Sequence, residues 1–170
     1  MIIFLIGFMG SGKSTLGKRL AKKMSWEFTD MDNVLEEQEG MTVAQIFEEK
    51  GEAYFREAES FLLQSLDSSI NRVVATGGGT PCHKNNMEVM NEKGVTVYLR
   101  MHECSLACRL EKARAVRPLI ENLEASQLRE FIRLKLDERE PFYNQAHCII
   151  KGESVKPDHI ISLVFGNSEY

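Results

Sequence analysis

The segment Met1-Ile-Ile-Phe-Leu-Ile6-Gly7-Phe-Met-Gly10-Ser11-Gly12-Lys13-Ser14-Thr15 carries two readings at once. Its first six residues are an unbroken apolar run that ends at a glycine, the pattern of a strand buried on both faces. From Gly7 to Ser14 the chain satisfies G-x-x-x-x-G-K-[ST], and a helix is expected next, over Lys13–Met24, with basic residues in its last turns. Strand, glycine loop and helix in that order is the context the motif requires. Glycines let consecutive N–H groups turn inward around an anion, and the helix adds the positive end of its dipole. The expected ligand is a nucleoside triphosphate held by Gly10, Ser11, Gly12, Lys13, Ser14 and Thr15. Lys13 would reach the β- and γ-phosphates, and the Ser14 hydroxyl would ligate Mg²⁺.

Outward from that loop, the pattern repeats. Strands are expected over 26–29, 72–76, 95–100 and 148–150. Between them lie helical segments over 42–50, 52–68, 81–92, from 103 onward, 126–139 and 157–164. Thr42-Val-Ala-Gln45 is a capping box, and Pro141 reads as a helix stop. Five strands alternating with helices predict a three-layer α/β/α fold around a five-stranded parallel sheet. No repeat or linker divides the 170 residues, so one domain is expected.

Composition narrows the partners. A net charge of −4 gives no general attraction to nucleic acid or anionic membrane, so a bound anion must be held by a local basic cluster. No apolar run approaches the roughly 20 residues of a membrane span, and 1–8 lacks a basic leader and a cleavage site. A cytoplasmic protein is expected. Four cysteines are too few for a disulfide scaffold; Cys104 and Cys108 read as small apolar side chains in preference to metal ligands.

The second strand ends Phe28-Thr-Asp30-Met-Asp32, placing two carboxylates at the sheet edge where ligands bind in open parallel sheets. One would serve the metal and the other would take or orient a hydroxyl proton, although Asp32 could instead cap a helix. Gly77-Gly78-Gly79 leaves the third strand at the same edge and lets the backbone approach a ligand. Arg56 lies between Glu52 and Glu59, its neighbours on a helix. Arg117 precedes Pro118 in a basic, poorly periodic stretch over 112–122, and Arg139 closes a helix. Two arginines able to form bidentate pairs suit a carboxylate, and a third suits a transferring phosphoryl group.

With those residues in place, the chain resembles the shikimate kinases of the nucleoside-monophosphate-kinase-like P-loop group. The likeness rests on the phosphate loop, Phe28-x-Asp30-x-Asp32, Gly51-Glu52-x-x-Phe55-Arg56-x-x-Glu59, Thr76-Gly-Gly-Gly79, Arg117-Pro118-Leu119 and Arg139-x-Pro141-x-Tyr143. It implies strand order 2-3-1-4-5, ATP as donor and the 3-hydroxyl of shikimate as acceptor. It further implies Asp30 with Ser14 at Mg²⁺, Asp32 as base, and Arg56 and Arg139 on the shikimate carboxylate. Gly78 and Gly79 would lie beside the ring, and Lys13 and Arg117 on the phosphoryl group. The resemblance also implies a lid over 112–122, a shikimate-binding subdomain over 32–60, and a monomer. The family usually stacks adenine on an arginine seven residues before the lid arginine. Leu110 stands there, so Arg109 is carried over on the basis of a one-residue lid insertion, with Pro157 as the second adenine contact.

Two rivals share the loop. A gluconate kinase would not need the triple glycine together with paired carboxylate-binding arginines. A GTP-binding switch would need a guanine-reading Asn-Lys-x-Asp, which the chain lacks.

Overall fold

Alternation along β1 (Ile2–Ile6) divides the molecule. Ile2, Phe4 and Ile6 join one apolar cluster, Ile3 and Leu5 another, and all five are fully buried. Successive side chains of a strand point to opposite faces, so a wholly apolar strand must be covered on both. The structure is a computed structural model that describes residues 1–112, 123–151 and 153–166.

In the sheet, β1 lies between β3 (Arg72–Ala75) and β4 (Gly94–Arg100), with β2 (Glu27–Asp30) outside β3 and β5 (Cys148–Lys151) outside β4. All pairings are parallel and the order is β2-β3-β1-β4-β5, as the resemblance implied. One face is covered by α2 (Met31–Glu39), α3 (Val43–Ser65) and α4 (Asn86–Lys93), with Tyr143 from α6 (Ala125–Tyr143). The other carries α1 (Lys13–Met24) and α7 (Pro157–Phe165). A third cluster packs Phe8 with Leu106, Ala107 and Leu110 of α5 (Glu103–Lys112) and with Leu128 and Ile132 of α6. Pairing of Leu5 with Ala75, and of Ala75 with Asp30, brings the carboxyl ends of β1, β2 and β3 level. The loops that leave these strands therefore open at one edge.

Several boundaries differ from expectation. A separate helix, α2, continues directly from β2, and Asp30 caps it by accepting the Asp32 N–H at 3.2 Å. Asp32 is therefore not the cap, and the two carboxylates stand on a strand end and a first helical turn, not on one pleat. The segments expected over 42–50 and 52–68 run together in α3, joined at a non-helical Gly51 (φ 83°) that only glycine adopts without strain. The Thr42–Gln45 capping box at its start forms as expected. After Pro81 the chain makes a 3-10 turn (Thr80–Cys82) before α4 begins.

Pro141 does not stop α6, which continues to Tyr143. A helical proline forfeits the hydrogen bond to the carbonyl four residues back. Here that carbonyl belongs to exposed Asp137, which water can satisfy. Cys104 and Cys108 are exposed, not buried, because Leu106, Ala107 and Leu110 take the inner face of α5. No group of three or more potential metal ligands converges among the described residues.

Candidate active site

Beyond β1 the chain turns through three glycines with positive φ, Gly7 at 139°, Gly10 at 80° and Gly12 at 94°. A side chain at Gly10 would also press on Leu110 at 3.1 Å. The Ser11 N–H closes the turn on the Phe8 carbonyl at 3.1 Å, and Gly12 occupies the cap of α1 without a side chain to satisfy the helix's first N–H groups. The Lys13 ammonium is folded back into the loop. It donates to the carbonyls of Gly7 (2.7 Å) and Phe8 (3.0 Å) and is 8% exposed. Ser11 Oγ is buried with no hydrogen-bond partner among the described residues. A cation, an unpaired hydroxyl and a helix N-terminus converge here, which fits an anion of phosphate type.

The second half of the site is organised by Gly77-Gly78-Gly79, which leaves β3 at the edge where β1 and β2 end. Each glycine faces a different candidate residue. A methyl group at Gly77 would collide with the Glu59 carboxylate and lie 3.1 Å from Asp32 Oδ1. At Gly78 it would meet the Met9 N–H at 3.2 Å and Arg139 Nη1 at 3.4 Å, and at Gly79 it would overlap the Arg56 guanidinium at 2.6 Å. A larger residue would displace Glu59 and Thr80 at Gly77 and Arg56 at Gly79, and would crowd the Met9 backbone at Gly78. The triple glycine does mark a close approach, and the approach is to these side chains.

Arg56 is held by its two helical neighbours, as expected. Nη2 lies 3.0 Å from Glu52 Oε1 and Nη1 lies 2.7 Å from Glu59 Oε2. Glu59 is fully buried and also accepts the Thr80 hydroxyl, so the glycine turn and α3 are tied through one carboxylate. Arg139 approaches from α6 with its guanidinium 5.5 Å from the Phe8 ring, a cation–π contact. No carboxylate lies within 4.0 Å of it among the described residues, which leaves its fork available to an anion.

Asp32 stands between the halves. Burial raises its pKa from 3.8 to about 6, with Glu59 and Asp30 adding to the effect, Lys13 opposing it and Glu36 raising it further. The surplus of negative charge is what a cation or a phosphate-bound metal would relieve. Ser14 is exposed at the start of α1, and Asp30 uses Oδ1 on its capping bond.

On the far side of the loop, a cavity of about 200 Å³ is lined by Ser11, Gly12, Thr15, Leu16, Arg109 and Val155 among others. Arg109 reaches over the loop toward the Gly10 carbonyl (3.4 Å) and donates to the Glu153 carbonyl at 3.0 Å. Leu110 is wholly buried under Gly10. Pro157 does not line this cavity. It is buried in the first turn of α7, and Glu153 and Val155 form the wall instead. Arg117 and nearly all of the expected lid, 113–122, lie outside the described residues.

One contact of the site is not signalled by the sequence. Tyr143 donates from its hydroxyl to the Gly78 carbonyl at 2.5 Å. It stands four residues after Arg139 and so on the same helix face. Reading Pro141 as a stop hides that relation.

The family model for Shikimate kinase matches residues 9–165. A shikimate kinase of Bacteroides thetaiotaomicron is 44% identical over 154 residues, which cover 91% of this chain and 88% of the relative. The 1.7 Å crystal structure of a shikimate kinase from the same species superposes with a TM-score of 0.91 at 39% identity, over 97% of this chain and 98% of the other. A shikimate kinase from Acinetobacter baumannii in complex with shikimate gives 0.89 at 33% identity, over 99% and 95%. With fold, strand order and site motifs all agreeing, the chain belongs to the shikimate kinase family.

Proposed function

We propose that the chain transfers the γ-phosphoryl group of ATP to the 3-hydroxyl of shikimate, giving shikimate 3-phosphate and ADP. The observation that carries this reading is the glycine turn 77–79, where Asp32, Arg139 and Arg56 each come close to the space that a side chain on one of the three glycines would enter. A hydroxylated carboxylic acid is what such a set would bind: a base at one end, two guanidiniums at the other, backbone between.

In this reading the phosphate loop holds the triphosphate through Gly10–Thr15, and the base occupies the cavity beside Arg109. Arg56 and Arg139 fix the shikimate carboxylate, with Gly78 and Gly79 against the ring. The hydroxyl then lies beside Asp32. A bond forms from its oxygen to the γ-phosphorus as the bond to the β–γ bridging oxygen breaks, and the proton passes to Asp32. The transition state of such transfers is loose, so positioning and charge neutralisation carry the rate more than deprotonation does. Lys13 supplies part of that neutralisation, and Arg117 supplies more by resemblance to the family, from a lid over 112–122. The segment 32–60, which carries Asp32 and Arg56, acts as the shikimate-binding subdomain.

Mg²⁺ fits this donor set, with Ser14 and Asp30 as protein ligands. The described residues form no cage of three carboxylate, histidine or cysteine ligands. A cation here would thus take most ligands from phosphate and water, as Mg²⁺ does beside nucleotides. Its chemistry would be to neutralise charge shared by the β- and γ-phosphates.

A cytoplasmic location accords with four unpaired cysteines, two of them exposed, and a monomer follows from the resemblance to the family. Among the described residues no helix is long and apolar enough to cross a membrane. The test is ADP release coupled to a reporter, with shikimate, gluconate and nucleoside monophosphates offered as acceptors. Release with shikimate alone supports the proposal. Release with another acceptor, or none with shikimate, rejects it.

A further inference from the structure

We infer that Tyr143 is a positioning residue that sets the spacing between Arg139 and the glycine turn, and hence the fit of the acceptor's carboxylate. The inference rests on the acceptor reading above. Three observations carry it. The Tyr143 hydroxyl donates to the Gly78 carbonyl at 2.5 Å, although the two residues are 65 apart in sequence. Its ring is fully buried and packs on Tyr98, with centroids 5.0 Å apart, so the side chain has little freedom to move. Arg139, one helical turn earlier on the same helix face, comes to the same glycine, its Nη1 3.4 Å from where a side chain on Gly78 would begin.

Hydroxyl and guanidinium thus reach one glycine from the same turn of α6. On its other side, the Gly78 backbone faces Met9 of the phosphate loop and Arg139 itself. One phenol thus ties α6, which carries a carboxylate-binding group, to the turn that would lie beside the ring. A hydrogen bond from a phenol held in place by packing fixes geometry, because leaving the buried partner unpaired is costly. Pro141 lies between the two residues and stiffens the last helical turn that separates them. Tyr98 offers an internal contrast, since it packs on the same ring but no hydrogen bond joins its hydroxyl to the glycine turn among the described residues.

The test is Tyr143→Phe, which keeps the ring and its packing but removes the hydroxyl, with Tyr98→Phe as the matched loss of a hydroxyl from the same aromatic pair. Melting midpoints are measured first, and kinetics are run below each variant's midpoint. Expected for Tyr143→Phe is a rise of about tenfold in KM for shikimate, equivalent to about 1.4 kcal/mol, with KM for ATP within about twofold of the parent. Amide exchange at Gly78 and Gly79 should quicken, while exchange in β1 stays as it was. Tyr98→Phe should leave KM for shikimate unchanged. An unchanged KM for shikimate in Tyr143→Phe overturns the inference, as does an equal rise in both KM values or the same rise in Tyr98→Phe. Failure of the parent protein to phosphorylate shikimate would instead reject the underlying reading, so the two failures are distinguishable.

Discussion

Glu59 Oε2 accepts a hydrogen bond from Arg56 Nη1 at 2.7 Å, and the carboxylate that does so is wholly buried. Its other oxygen takes the Thr80 hydroxyl. A buried charge with this many partners is costly to leave half-paired. Removing one member of such a pair costs about 3–5 kcal/mol, because the other is left uncompensated. Arg56 is partly exposed, so the low end applies. Glu59→Ala should lower the melting midpoint by roughly 6–12 °C for a chain of this size. It should also raise KM for shikimate, since Arg56 would lose its anchor. Thermal melts and acceptor titrations check both effects. A melting change without a change in KM would mean that Glu59 supports the fold alone.

Asp32 has a pH signature opposite in sign to that of an ordinary surface aspartate. Folding raises its pKa from 3.8 to about 6 through burial and then the charges of Glu59 and Asp30. The folded state therefore holds the proton more tightly than the unfolded chain does. This stabilisation is fully present below pH 3.8 and is lost as pH rises through about 6. Asp32→Asn cannot ionise. Free of nucleotide and metal, it should melt several degrees above the parent at pH 8, and the gap should close toward pH 4. The same variant should lose roughly 100- to 10,000-fold in kcat while still binding ATP. Midpoints across that pH range, with single-turnover assays, test the two halves separately. A parent and variant that melt together at pH 8 would contradict the burial of the charge.

The fold is largely legible in the sequence because its signals are local and redundant. The apolar run at 2–6, the glycine loop and the alternating elements all point to one sheet. The errors lie where distant residues decide. Pro141 looks like a stop in sequence, yet the helix runs on to Tyr143, and the carbonyl deprived of its hydrogen bond belongs to exposed Asp137. The three glycines announce a close approach, but not that Asp32, Arg139 and Arg56 are the side chains that approach them. No spacing rule could announce that Tyr143 bonds Gly78, because the contact joins the end of α6 to the end of β3.

Arg139 should act on the acceptor more than on the donor. Its guanidinium lies over Phe8 and beside Gly78, with no carboxylate partner among the described residues. Charge-assisted hydrogen bonds contribute about 1.5–3 kcal/mol, so Arg139→Ala should raise KM for shikimate roughly 10- to 100-fold. Arg139→Lys should recover only part of this, because a point charge cannot reproduce a planar fork. An unchanged KM in the alanine variant would remove Arg139 from the carboxylate site.

Arg117 is assigned by resemblance, and its removal should look different. If it neutralises the transferring group, Arg117→Ala lowers kcat and kcat/KM together while shikimate affinity in a binding assay stays level. An effect confined to shikimate affinity would show that it belongs to the acceptor's carboxylate and not to the phosphoryl group.

The one-residue departure near the nucleotide separates two neighbours with different jobs. Leu110 occupies the family's usual arginine position, but it is fully buried and lies 3.1 Å from where a side chain on Gly10 would begin. Arg109 turns the other way, to the cavity shared with Thr15 and Val155 and to the Glu153 carbonyl. Leu110→Ala should therefore behave as a core truncation. It should lose about 2–5 kcal/mol of stability and loosen the phosphate loop from beneath. Arg109→Ala should leave the midpoint nearly unchanged and raise KM for ATP, with KM for shikimate held. Melts of both variants beside nucleotide titrations decide the matter. A stable Leu110→Ala with impaired ATP binding, and an Arg109→Ala that binds ATP normally, would reverse the assignment, because helix α5 would then have to present the other residue to the base.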